Sequence, residues 1–129
     1  MNQTKRVAVV VGARGVIGSN LVRHLQSSGD WDVVGVSRRG GDDGPRLRHI
    51  SVDLLDAEGT RRKLSPLTDV THIFYAAFQD RPTWTELVPP NVAMLVNAVS
   101  AIEAVSPGLE HVSLMQGYKV YGAHLGPFK

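Results

Sequence analysis

The sequence predicts an α/β fold: a doubly wound parallel sheet with helices on both faces. Three observations predict it. Strand-like and helix-like segments alternate along the chain. The first strand, Val7-Ala8-Val9-Val10-Val11, is an unbroken run of β-branched and small apolar residues, the habit of strands covered on both faces. A glycine-rich turn from Gly12 to Gly18 joins that strand to an amphipathic helix. Right-handed crossovers between parallel strands then leave the doubly wound arrangement as the main candidate.

Each element follows from local signals. Ile17, Leu21 and Leu25 fall at helical spacing from Val16 to about Ser28, and Gly29 stops that helix. Asp32 to Val36 reads as a second short strand, and Gly40, Gly41, Gly44 and Pro45 mark a loop. Leu47 to Val52 is a third strand, ending at Asp53. Asp56 can cap a short helix to about Leu64, which Ser65-Pro66 breaks. Thr71 to Phe78 reads as a fourth buried strand. Pro82 and the Pro89-Pro90 pair punctuate the next stretch, so a helix is expected from about Asn91 to Val105, closed by Pro107-Gly108. His111 to Met115 is the fifth strand, and Gln116 to Lys129 is expected to be loop.

Composition narrows the function classes. The chain has 129 residues, 43% hydrophobic, enough for one core. The net charge of +2 is small, and the basic residues stand in short scattered groups, which does not argue for nucleic acid. There is no cysteine, which excludes a disulfide scaffold and thiol catalysis and fits a reducing compartment. No segment approaches the roughly 18 apolar residues of a membrane helix, so a cytoplasmic protein is expected. His24, His49, His72, His111 and His124 show no metal-ligand spacing, so no metal site is expected. Trp31 and Trp84 read as packing anchors.

The strongest chemical signal is Gly12-Ala-Arg14-Gly15-Val16-Ile17-Gly18. A backbone turning this tightly needs glycine at its bend. A second glycine lets a diphosphate approach the main chain, and a third lets helix and strand pack closely. The helix start then offers free N–H groups and a partial positive charge to the anion. In this strand-turn-helix setting the turn indicates a Rossmann-type dinucleotide site; the other reading is a plain glycine-rich turn.

The end of the second strand bears on which dinucleotide. A ribose-binding acid is expected about 20 residues after the glycines. Val36-Ser37-Arg38-Arg39 stands there instead. Two guanidiniums and a hydroxyl suit a 2′-phosphate, which favours NADP (as NADPH) over NAD. The two arginines are otherwise loop-surface charges.

Two further segments carry a family resemblance. Lys63-Leu-Ser-Pro-Leu-Thr-Asp-Val-Thr-His-Ile-Phe-Tyr75 leads into the fourth strand, and Leu114-Met-Gln-Gly-Tyr-Lys-Val-Tyr-Gly-Ala-His-Leu-Gly-Pro-Phe128 follows the fifth. Both resemble the progesterone 5β-reductase/iridoid synthase-like branch of the atypical and extended short-chain dehydrogenase/reductases. The Gly-x-x-Gly-x-x-Gly turn is similar to that of the same group. The resemblance implies an NADPH-dependent oxidoreductase that reduces the C=C bond of an enone or enal, or a carbonyl, of a small molecule. It implies that Asp53, with the backbone of Leu54, bonds the adenine, although a turn or capping Asp is the other reading of that residue. Tyr75, Ala76, Ala77 and Phe78 are expected to pass the nicotinamide side. Lys119 maps onto the catalytic lysine. Its tyrosine partner is expected beyond residue 129, and Tyr121 is a weaker stand-in. Tyr118 is expected to be a neighbour of the pocket, and Gln116-Gly117 departs from the Thr-Gly of many relatives.

Proteins of that branch are more than twice this length. The resemblance therefore implies that these residues are the N-terminal part, truncated after the fifth strand, and that alone they bind NADPH weakly and reduce nothing. A homodimer is compatible with this reading. Two other functions stay open: a non-enzymatic NADP sensor, and a sugar epimerase or dehydratase, whose Tyr-x-x-x-Lys spacing does not occur within these residues.

Overall fold

Five parallel strands and three helices make up the computed structural model, which describes residues 6–78 and 82–114. The elements run β1 (Arg6–Val11), α1 (Val16–Ser28), β2 (Trp31–Ser37), β3 (Leu47–Ser51), α2 (Ala57–Leu64), β4 (His72–Tyr75), α3 (Trp84–Glu103) and β5 (His111–Leu114). The sheet order is β3-β2-β1-β4-β5, with every pairing parallel. The chain winds outward from β1 to β3, then crosses back to place β4 on the other side of β1. That reversal is a topological switch point, and crevices at the carboxyl ends of such strands hold ligands.

The two-residue period of β1 divides the core. Val7, Val9 and Val11 face α2 and α3 and pack with Val34, Val36, Leu64, Ile73, Tyr75, Met94, Ala98 and Ile102. Ala8 and Val10 face the other way and pack with Val22 and Leu25 of α1. Both faces of β1 are therefore covered, as its unbroken apolar run requires.

The expected strands and helices are all present, with two boundaries moved by more than two residues. β4 stops at Tyr75 rather than Phe78, because its neighbour β1 ends at Val11, opposite Tyr75. One more bond, Ala76 N–H to the Val11 carbonyl at 2.7 Å, closes the ladder. α3 begins at Trp84, well before Asn91, and carries Pro89 and Pro90 inside it. A capping pair sets this start. The Thr83 hydroxyl accepts from Glu86 N–H at 3.3 Å and donates to the Glu86 carboxylate at 2.9 Å. Leu87 on the next turn is buried. Two missing backbone donors do not outweigh an anchored cap and a buried face. Asp56 caps α2 as expected, accepting from Gly59 N–H at 3.0 Å. Among the described residues no helix is long and apolar enough to cross a membrane.

Candidate dinucleotide-binding site

A cleft of about 540 Å³ opens at the carboxyl ends of β1, β2 and β4. Gly12, Arg14 and Gly15 form one wall, Ser37 and Arg38 another, and Asp53, Leu54, Ala76, Ala77 and Phe78 the remainder. Most of the residues predicted from the sequence therefore converge here. A depression of about 490 Å³ lies at the opposite end of the strands, around Trp31, Arg46 and Asp69. It is remote from the glycine turn, and the switch point favours the cleft.

The three glycines of the turn do three different jobs. Gly12 has φ +87°, and a Cβ there would stand 2.6 Å from Ala77 N. It lets the turn lie against the chain leaving β4. A Cβ on Gly18 would stand 2.0 Å from the Gly12 carbonyl oxygen, so this glycine lets α1 sit on the turn. A Cβ on Gly15 would meet nothing nearer than 3.6 Å. The fold itself does not need a bare backbone at Gly15, and the space beside it stands open.

The start of α1 is left open to an anion. Gly15 is its N-cap, no side chain caps it, and its first turn has no acid. By contrast Asp56 and Thr83 cap α2 and α3, whose first turns hold Glu58 and Glu86. The first N–H groups of a helix lack internal partners, and among the described residues no side chain caps these. The cleft's charges agree: Arg14 and Arg38 face a single carboxylate, Asp53.

The arginines and Ser37 have distinct settings. Arg14 Nη1 donates to the Gly40 carbonyl at 2.7 Å, and Gly40 N–H donates to Ser37 Oγ at 2.9 Å. Both side chains thereby hold the β2–β3 loop at Gly40, which has φ +74°. Arg38 is exposed along the cleft, and Arg39 is exposed without lining it. Asp53 Oδ1 accepts from Leu55 N–H at 3.0 Å, which bears out the turn reading, and the residue also lines the cleft.

The remaining predicted residues separate. Val16 is 80% exposed and Ile17 42% at the mouth of the turn. Ala76 and Ala77 line the cleft, but Tyr75 does not and is buried in the core cluster that also holds Ala98. Among the described residues its hydroxyl has no hydrogen-bond partner, and burial pushes its pKa up to about 12. Met94 of α3 also lines the cleft, a contribution that no local sequence signal marks. Lys119, Tyr121, Tyr118, Gln116 and Gly117 lie outside the described residues.

Fold and cleft together define a nicotinamide-dinucleotide-binding domain of Rossmann type. The chain belongs to the NAD dependent epimerase/dehydratase family, whose profile matches residues 8–128. It is 43% identical over 134 residues to a 3-oxo-Delta(4,5)-steroid 5-beta-reductase of Arabidopsis thaliana, covering 95% of this chain and 32% of that protein. It is 40% identical over 135 residues to an (S)-8-oxocitronellyl enol synthase of Camptotheca acuminata, covering 95% and 33%. The chain thus spans about a third of the length of the curated relatives it matches. In fold it is similar to Gre2 from Candida albicans (TM-score 0.70, 21% identity, 84% of this chain and 35% of that one). It is similar likewise to a UDP-glucuronic acid 4-epimerase from Bacillus cereus in complex with NAD (TM-score 0.68, 22% identity, 90% and 41%).

Proposed function

We propose that this chain is the cofactor-binding part of an NADPH-dependent oxidoreductase that reduces the C=C bond of a small enone or enal. The observation that carries the reading is the open space over Gly15, facing an uncapped helix start. The relatives named for steroid 5-beta-reduction and for enol synthesis support the substrate class.

Each residue has a part. The N–H groups at the start of α1 hold the diphosphate. Arg38 grips a 2′-phosphate with its planar fork of donors, and Arg39 adds charge from the loop. Asp53 and the Leu54 backbone address the adenine, and Ala76 and Ala77 keep the far wall low enough for the nicotinamide. Bound NADPH supplies the hydride. Charge then develops on the substrate's carbonyl oxygen, and a hydroxyl backed by a cation stabilises it. Lys119 takes the role of that cation by family resemblance, and it also lowers the pKa of a neighbouring phenol.

Calorimetric titration of the full-length protein with NADPH and NADH tests the cofactor. NADPH is expected to bind at least tenfold tighter, and equal affinities would remove the 2′-phosphate assignment. Loss of NADPH absorbance on adding an α,β-unsaturated aldehyde or ketone tests the chemistry. No turnover across a panel of such compounds would overturn the substrate class.

A further inference from the structure

At the opposite end of the sheet from the cleft, two strands bring together residues that lie far apart in the sequence. His72 opens β4 and His111 opens β5, and the two are direct partners in the parallel register. Their rings stack with centroids 5.2 Å apart. Glu110 immediately precedes His111. Its N–H donates to the Thr71 carbonyl at 2.8 Å, and His111 N–H reaches the same oxygen at 3.3 Å. One carbonyl beside His72 therefore pins the backbone of both other residues. One donor atom from each of the three side chains lies within 4.8 Å of the other two.

The surroundings prepare His72 to be a ligand. Its Nδ1 lies 2.8 Å from Thr71 Oγ1. That hydroxyl accepts Val7 N–H at 3.0 Å and donates its single proton to the Val7 carbonyl at 3.1 Å. With the hydroxyl proton on that carbonyl, Nδ1 faces an acceptor, a tautomer in which Nδ1 carries the proton and leaves Nε2 its lone pair. A ring nitrogen held by a second group in this way is the usual support of a metal-bound imidazole. Trp31 stands edge-on to the ring at 4.7 Å and limits its rotation. Glu110 and His111 are exposed, so their side chains are free to close on an ion. The Arg6 guanidinium lies over the Trp31 ring and opposes a cation here, while the Glu110 carboxylate favours one.

The geometry points to a divalent transition-metal site made by His72, Glu110 and His111, a two-histidine, one-carboxylate set suited to Zn²⁺ and its first-row neighbours. Metal–ligand bonds of about 2.0–2.2 Å put ligands roughly 3.4 Å apart, so donors within 4.8 Å of one another need to close by up to about 1.4 Å. Such an ion bridges β4 to β5 at the amino ends of the strands. It is remote from the cleft and independent of cofactor chemistry.

The test is calorimetry of Zn²⁺ against the tag-free, metal-stripped full-length protein, repeated with His111→Ala, Glu110→Gln and the double variant. Both side chains are exposed, so these changes leave the core intact. One equivalent of Zn²⁺ is expected, weakened at least tenfold by either substitution and raising the thermal midpoint of the wild type alone. Co²⁺ is expected to give the visible bands of a nitrogen-and-oxygen site, lost in the double variant. His24→Ala, on the exposed face of α1, is expected to change nothing. Zn²⁺ binding that is absent, or equally tight in the wild type and the double variant, would overturn the site.

Discussion

Replacing Gly15 by alanine separates a residue needed by a ligand from one needed by the fold. At Gly15 φ is −76°, which alanine adopts freely, and the new Cβ meets nothing closer than 3.6 Å. Alanine is a poorer N-cap than glycine, but it also restricts the unfolded chain by about 0.4–1 kcal/mol. These effects oppose each other, so stability is expected to stay within about 1 kcal/mol of the wild type. Gly18→Ala is the control. Its Cβ would stand 2.0 Å from the Gly12 carbonyl oxygen and 2.8 Å from the carbonyl carbon. Both are backbone atoms and no rotamer relieves them, so the turn itself has to move, at a cost of about 2 kcal/mol or more. Denaturant unfolding of the full-length proteins measures both changes. Calorimetric NADPH titration of Gly15→Ala is expected to show at least a tenfold loss, about 1.4 kcal/mol, because the methyl group occupies the diphosphate's approach. Wild-type NADPH affinity in Gly15→Ala would refute the assignment of that space to a ligand. Equal stability of the two variants would refute the reading of Gly18.

Other expectations follow from the same geometry. Arg38→Ala is expected to weaken NADPH at least tenfold while leaving NADH within about twofold, and Arg39→Ala to do less because Arg39 does not line the cleft; parallel titrations decide. Tyr75→Phe removes a buried hydroxyl that has no partner, so unfolding is expected to show no loss of stability and a gain of up to about 1 kcal/mol. The same substitution bears on alkaline pH. The folded pKa of about 12 lies above the ordinary 10, so the wild type's stability from this group is complete below pH 10 and lost as pH rises from 10 towards 12, where the unfolded phenol ionises first. Tyr75→Phe is expected to flatten that fall in a pH series of denaturation curves, and an unchanged slope would contradict it. Asp56→Ala and Thr83→Ala each remove a helix cap and are expected to cost about 1 kcal/mol by denaturant unfolding.

Several features were legible in the residues themselves because their causes are local. The β-branched run of β1, the glycine turn and the Gly29 stop place α1 at Val16–Ser28, as expected from spacing. The alternation of elements implies the parallel sheet. Asp56 announced the cap of α2, whereas Pro89 and Pro90 set the expected start of α3 at about Asn91, past its true start at Trp84. Each of these signals acts over one or two turns of chain.

Other features needed the folded chain. The register with β1 turns Ile73 and Tyr75 into the core, while Ala76 and Ala77 line the cleft because the chain has already left the strand there. The bond from Arg14 to Gly40 and the entry of Met94 into the cleft depend on how loops and α3 pack. The meeting of His72 with His111 depends on β4 and β5 lying side by side. Periodicity and capping are properties of neighbours in sequence. Register across a sheet is set by the burial of whole faces, and no short segment carries that information alone.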